Sequence, residues 1–342
     1  MSWRARPPVE LPGQRAALRW WWQAPDHLAV MPALARLPEP VAYAASAWRG
    51  RWSCRLGRDW AELSVGQAYV AERTAQAMRL MHPGATAPQV ARWVRERYQT
   101  VAFEELEARW IARGGWADAA VQRWQLPDVT APLRALAGRG MVVLQAHFNN
   151  PLVGCMGLAR ASGKRVWVTM SSITDHPQVH PAVSAHFRDK YAAAQPWLNG
   201  GGFVDTDRAG GLRRLYRGLA AGDWVVVMAD LPPAPGQEGV SVPWLGERRW
   251  LAEGAVRLAR QTGTPLASLG LLRGAPGEWR WALGEVQWLN EGGDGDPAIG
   301  RAYADLDSVI RQAPGHWWAA HLLPEMRCGD PGVADALAAA RM

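Results

Sequence analysis

Cysteine is nearly missing from this sequence: Cys54, Cys155 and Cys328 stand far apart, with no CxxC spacing. That excludes a disulfide framework and a cysteine-based zinc site, and makes a reducing compartment the default. Lysine is scarcer still, since every one of the 38 basic residues except Lys164 and Lys190 is arginine. Isoleucine occurs only at positions 111, 173, 299 and 310. With abundant Ala, Gly, Pro, Arg and Trp, these shortages are those of a GC-rich coding sequence, so composition is discounted as a functional signal. A bilayer-crossing run is lacking as well. The most apolar early stretch, 28–48, is interrupted by Pro32, Arg36, Pro38, Glu39 and Pro40, whereas a span needs ~20 mostly apolar residues. No continuous signal-peptide core opens the chain, and neither an internal repeat nor a low-complexity tract is present. No recognised nucleic-acid motif is found, so no nucleic-acid partner is expected.

What is there suits a globular protein. The 342 residues are 49% hydrophobic and 20% charged, enough for one large core or two modest ones. A net charge of +7 favours anionic partners such as nucleotide-bearing coenzymes or acidic lipid surfaces. Trp20, Trp21 and Trp22 beside Arg15 and Arg19 have two readings: a helix face packed on the protein body, or an indole cluster at a lipid headgroup boundary.

Residues 1–130 read as a helical N-terminal region. Thr86-Ala-Pro-Gln89 has the form of a capping box with Pro88 in the first turn. Val90, Val94, Tyr98 and Val101 then recur at helical steps, Leu106 and Trp110 continue a face, and Gly114-Gly115 supplies a stop. A further helical stretch covers 60–81. From 131 to 342 the pattern is that of an α/β domain. Non-alternating apolar runs at 141–146, 166–170, 224–229 and 266–272 alternate with helical segments at 152–162, 181–194, 209–221 and 251–262. This predicts a central, largely parallel sheet flanked by helices, with 280–288 as a late antiparallel strand.

Reactive groups gather at the carboxyl edge of such sheets. His147, just beyond the first run, can act as a general base. The amides that follow it, at Phe148, Asn149 and Asn150, lie where a helix start can hold an anion. Asp230 ends a later buried run and precedes a Gly/Pro-rich stretch that closes on Gly246. Each has an ordinary structural reading too: a core histidine, or an aspartate capping a turn. Asp175, His176, His180 and His186 do not match a zinc spacing, so no metal is expected. Cys155 reads as a small buried hydrophobe.

The order of these pieces resembles the bacterial lipid A biosynthesis acyltransferases, within the lysophospholipid acyltransferase superfamily. Their strand ending in His-Phe-Gly-Asn-Trp-Glu is similar to His147-Phe-Asn-Asn-Pro-Leu152. Their acid followed by Phe-Val-Pro-Phe-Phe-Gly resembles Asp230 and Ser241-Val-Pro-Trp-Leu-Gly246. Glu253-Gly-Ala-Val-Arg-Leu-Ala259 with Thr262-Gly-Thr-Pro265, and the tryptophan-rich segment 310–321, complete a likeness over roughly residues 25 to 325.

The resemblance implies acyl transfer from an acyl carrier protein or coenzyme A thioester to a hydroxyl or amine, with no bound cofactor. His147 would be the base, Asp230 would position it or shape the site, and Phe148, Asn149, Asn150 and Gly246 would bind substrate or oxyanion. The departures matter equally. The family's orienting carboxylate falls at Leu152, so another acid must take over, with Asp230, Asp175 and Asp205 as candidates, or the activity is weak or lost. Arginine-bearing segments suited to phosphorylated sugars read Met170-Ser-Ser-Ile-Thr-Asp175 and His321-Leu-Leu-Pro-Glu325 here. The expected acceptor is therefore not lipid A but a specialised metabolite or polyketide, with a lipid second. The alternatives are a silent accessory subunit that binds acyl chains or carrier protein, and a thioester hydrolase or condensing enzyme. A cytoplasmic site, extending to the inner face of the bacterial inner membrane, is expected.

Overall fold

The computed structural model describes residues 24–59, 69–170, 179–234, 237–289 and 296–326. Seven strands form one sheet: β1 (Trp124–Gln125), β2 (Met141–Gln145), β3 (Val166–Met170), β4 (Gly202–Asp205), β5 (Trp224–Met228), β8 (Leu266–Arg273) and β9 (Trp279–Leu283). Their spatial order is β1-β9-β8-β2-β5-β3-β4. The five strands from β8 to β4 run parallel, β9 is antiparallel to β8, and β1 pairs parallel with β9. The remaining strands, β6 (Gly239–Trp244) and β7 (Glu247–Ala252), make a separate antiparallel hairpin.

All five residues of β2 are buried, as expected of a parallel strand covered on both faces. Alternate residues serve two cores. Val142, Leu144 and Val225 pack with α7 (Gly254–Thr262) and α8 (Pro297–Gln312). Met141, Val143 and Val226 pack instead with α4 (Pro151–Ser162), so the fold has three layers, helix on sheet on helix. The α/β architecture with a largely parallel sheet and a helical N-terminal region is thus as the sequence implies.

That N-terminal region contains α1 (Glu39–Leu56), α2 (Val70–Met81) and α3 (Ala87–Arg113). The Thr86–Gln89 capping box opens α3. Val90, Val94 and Tyr98 of α3 belong to the same buried cluster as β2 and β5. The region is therefore joined to the sheet through a shared core. Of the helical stretch expected over 60–81, the part before residue 69 lies outside the described residues.

Two local readings are corrected. Leu251 and Ala252 end strand β7 rather than begin a helix, and α7 starts at Gly254. The 239–246 stretch is not a site-forming loop but the first arm of the hairpin. Gly246, at φ 90°, makes its turn, where a side chain is disfavoured. The short strand β4 escaped notice because Gly202-Phe-Val-Asp205 is too brief to show a period.

Candidate active site

Parallel pairing brings the site together. Strand β2 is followed by α4 and then β3, while β5 lies between β2 and β3, so chain connections diverge around the carboxyl ends of β2 and β5. Such a divergence opens a crevice. Gln145 and Met228 are register partners at those ends, and the Ala229 amide donates to the Gln145 carbonyl at 2.8 Å. His147 and Asp230 follow at equal offsets.

His147 Nδ1 lies 2.8 Å from Asp230 Oδ1. The His147 backbone N–H donates to Asp230 Oδ2 at 2.7 Å, and the Trp317 indole N–H donates to the same oxygen at 2.7 Å. A fully buried carboxylate with these donors acts as an acceptor only. The histidine tautomer it selects has Nδ1 protonated and donating, which leaves Nε2 as the acceptor. Asp230 is therefore the acid that reaches the imidazole, where Leu152 offers none. Asp205 is elsewhere, paired with Arg208 at 3.2 Å and capping its own turn through the Asp207 amide. Asp175 lies outside the described residues.

A second chain segment closes over the histidine. Phe148 forms an antiparallel bridge with Trp317, the Trp318 amide donates to the His147 carbonyl, and the Trp318 ring meets the imidazole edge-on at 4.5 Å. Arg97, itself in a buried ion pair with Asp59, donates to the Trp318 carbonyl at 2.9 Å and so fixes that segment.

His147 borders a cavity of about 630 Å³, within the usual range of roughly 300–1,000 Å³ for small-molecule sites. Its walls are mostly apolar, with Leu152, Val168, Leu215, Val227, Leu231 and Leu258 among them. Polar groups interrupt these walls at Thr169, Thr206 and His321 and at the Glu104–Lys190 pair. Burial, aided by the charges of Arg97 and Arg73, holds His321 well below the usual histidine range, so it is neutral.

The other expected site residues have different tasks. Asn150 caps α4, its side chain accepting from the Leu152 and Val153 amides at 3.1 and 3.3 Å. Its amide nitrogen donates to Glu107 at 2.8 Å. Asn149, left-handed at φ 54°, donates to the Leu271 carbonyl at 2.7 Å. The Phe148 and Asn149 amides are already bonded to the carbonyls of Ala146 and His316. Phe148, Asn149 and Asn150 do not line the cavity. Gly246 does not line it either. The Asn149 and Asn150 side-chain amides are thus committed to structural hydrogen bonds.

Cys155 is buried, with its thiol pushed up to about 12 by burial and directed at the Gln145 side-chain oxygen, so it is no thiolate nucleophile. Of the histidine-rich cluster, His180 caps α5 (Pro181–Ala194) by accepting from the Ala182 amide. His186 packs against His27 with ring centroids 5.0 Å apart. Asp175 and His176 lie outside the described residues. Among the described residues no group of three or more His, Cys, Asp or Glu is placed to hold a metal.

Four participants were missed from sequence: Trp317 on Asp230, Arg97 behind Trp318, Glu107, and the Glu104–Lys190 pair. One signal was present. Continuing the Val90, Val94, Tyr98, Val101 stripe lands on Glu104 and Glu105, carboxylates at positions where an apolar side chain belongs. Glu107 is a fully buried hub that accepts from Tyr43, Asn150 and Arg273 at 2.7, 2.8 and 2.6 Å. It ties α1, α3, the α4 cap and β8 into one network.

No family model matches this chain, and no curated protein matches it.

Proposed function

We propose that this protein is an acyltransferase that moves an acyl group from an acyl carrier protein or coenzyme A thioester to a hydroxyl or amine acceptor other than lipid A. The carrying observation is the His147–Asp230 pair at the wall of an apolar cavity. In this reading Nε2 of His147 takes the acceptor's proton as its oxygen or nitrogen attacks the thioester carbonyl. The new C–O or C–N bond forms, the C–S bond breaks, and the proton passes to the departing thiolate. Asp230 is a positioning residue that stabilises the imidazolium and fixes its tautomer. The thioester is already activated, so no covalent acyl-enzyme is needed.

Charge around the cavity fits the donor. On α6 (Gly211–Ala220), Leu212, Leu215 and Tyr216 face the cavity, while Arg213, Arg214 and Arg217 are exposed. Exposed arginines on a helix that lines the cavity, with Arg257 in the lining itself, suit an acidic carrier protein or the phosphates of coenzyme A. A bound carboxylate on the imidazole favours this reading over a silent accessory subunit, which has no need to orient a base.

We place its work in the cytoplasm, with contact at the membrane surface. No helix among the described residues is long and apolar enough to cross a membrane. On α1, Val41, Trp48, Trp52 and Leu56 share one exposed face beside the exposed Arg51 and Arg55. Aromatic and basic residues on one helix face suit an anionic headgroup layer. The membrane contact first sought at Trp20–Trp22, which lie outside the described residues, has a counterpart here.

The experiment is thioester consumption and product mass with a panel of carrier-protein and coenzyme A donors, using cell extract as the acceptor source. Histidine-dependent transfer to a small molecule supports the reading. Donor binding without turnover would replace it with the accessory-subunit role, and histidine-dependent release of free acid alone with hydrolysis.

A further inference from the structure

The chain has 4 Phe and 6 Tyr, and Phe187, Tyr191, Phe203 and Tyr216 all border the His147 cavity. Three of them form a continuous wall: the Phe187 and Tyr191 rings are 6.1 Å apart, and Tyr191 and Phe203 are 4.7 Å apart. A cavity meant only for a saturated chain would be served equally well by Leu and Met. Flat rings add a preference for planar groups, which stack on them or meet them edge to face.

Beside this wall lies a buried ion pair. Lys190 of α5 donates to the Glu104 carboxylate of α3, with side chains only 8% and 9% exposed, and both residues border the cavity. Lys190 Nζ also sits 5.1 Å from the Phe187 ring centre and 5.9 Å from that of Tyr191. Burial alone would pull the ammonium down, but the Glu104 carboxylate outweighs it and Lys190 is raised, so it stays an ammonium. Two charges withdrawn from water beside an apolar space are costly, and well-packed apolar residues often serve stability as well. Their chemistry points to recognition. The ammonium has three N–H groups, and the carboxylate has lone pairs beyond the one used. Together they present a donor and an acceptor side by side.

Only some groups match that arrangement. A hydroxyl accepts from Lys190 and donates to Glu104. A carboxylate would be repelled by Glu104, an ammonium by Lys190, and a methyl end would use neither the spare ammonium N–H groups nor the spare carboxylate lone pairs. We propose that this cavity selects an acyl group ending in a hydroxyl-bearing aromatic ring, with the ring on the Phe187–Tyr191–Phe203 wall and its hydroxyl between Lys190 and Glu104. This rests on the acyl-transfer reading and names its donor's acyl class.

The test compares three thioesters of equal length on the full chain, ending in 4-hydroxyphenyl, phenyl or a saturated alkyl group, with the same extract as acceptor source. The expected result is kcat/KM at least about tenfold higher for the 4-hydroxyphenyl donor than for either other donor, since a site built for a hydroxyl discriminates against its absence. In the double variant Lys190→Met/Glu104→Leu, which removes both charges together, the hydroxyphenyl-to-phenyl ratio should fall to near one. Preference of the wild type for the saturated or phenyl donor overturns the inference and leaves acyl transfer standing. A ratio unchanged in a folded double variant overturns it equally. If the wild type consumes none of the three, nor any donor in the wider panel, both readings fall. The wild-type ratio is decisive even where the double variant does not fold.

Discussion

Asp230 reaches His147 twice, through Oδ2 to the backbone amide and through Oδ1 to the ring, at 2.7 and 2.8 Å. The same carboxylate thus sets where the residue sits and how its imidazole turns. Asp230→Asn should test the second role separately. An amide side chain can still accept from the backbone and from Trp317, but it need not accept from Nδ1. We expect a folded protein with kcat lowered by about 10²–10⁴-fold, the scale on which losing an orienting carboxylate acts. His147→Ala should fall to a similar level, and the double variant should lose little more, because the two act as one unit. Steady-state thioester consumption measures all three, and additive losses would count against the pairing.

Trp317→Phe keeps an aromatic ring, though a smaller one, and withdraws one donor from Asp230. Losing a donor on the acid that holds His147 should displace the acid limb of the kcat/KM profile, with stability lower by about 1–2 kcal/mol for a lost charged hydrogen bond. A pH–rate profile with an unmoved acid limb would show that Trp317 only packs.

Acid should weaken the fold through its buried histidines. Burial, with Arg273 nearby, lowers His316 to about 4, and His321 and His186 lie well below their ordinary range for the same reason. The unfolded chain takes up protons near pH 6.5 while the folded state resists them. The stability from neutral burial is therefore fully present above about pH 6.5 and is lost as pH falls toward 4. Urea midpoints at pH 7.5, 6 and 5 should decrease in that order, and His316→Asn should flatten the trend.

Gly157 of α4 leaves room for Trp281. A Cβ at this position would lie 2.2 Å from the indole ring, whose N–H is held by the Gly154 carbonyl. Gly157→Ala should cost about 1–3 kcal/mol by overpacking, despite alanine's better helix propensity. Asn150→Ala should cost about 1–2 kcal/mol as a lost cap, and more if Glu107 is left short of a donor. Chemical denaturation reads both, and a stabilised Gly157→Ala protein would refute the contact.

On the exposed face of α1, Trp48→Ala/Trp52→Ala should abolish co-sedimentation with anionic vesicles while soluble turnover persists. Wild-type binding should weaken steeply with salt and be slight on neutral vesicles. Equal binding of the variant would remove α1 from the membrane contact.

Much of this was legible in advance because strands β2, β5 and β8 are buried on both faces over most of their length, and double burial demands the apolar runs seen in the sequence. The α3 cap and α4's start are written in local residue types for similar reasons. His147 and Asp230 could be nominated because each follows such a run. Their pairing was named only through the resemblance, with Asp175 and Asp205 as rivals, because which acid reaches the imidazole depends on β5 inserting between β2 and β3, an order that no local pattern encodes. The partners of the Asn149 and Asn150 amides were not legible for a related reason. Their partners Leu271 and Glu107 are remote in sequence, and a buried amide is committed by whichever groups the fold brings to it.

The sequence by itself determined the layered α/β class, the strand and helix alternation, and a histidine at a strand's carboxyl edge, because burial and backbone capping act over a few residues. Only the tertiary structure decided that Asp230 meets the His147 ring, that Trp317 and Trp318 close over the histidine, and that Glu104 and Lys190 meet beside an aromatic wall. Those contacts join chain segments more than 80 residues apart. They follow from strand order and core packing, which the whole chain settles together.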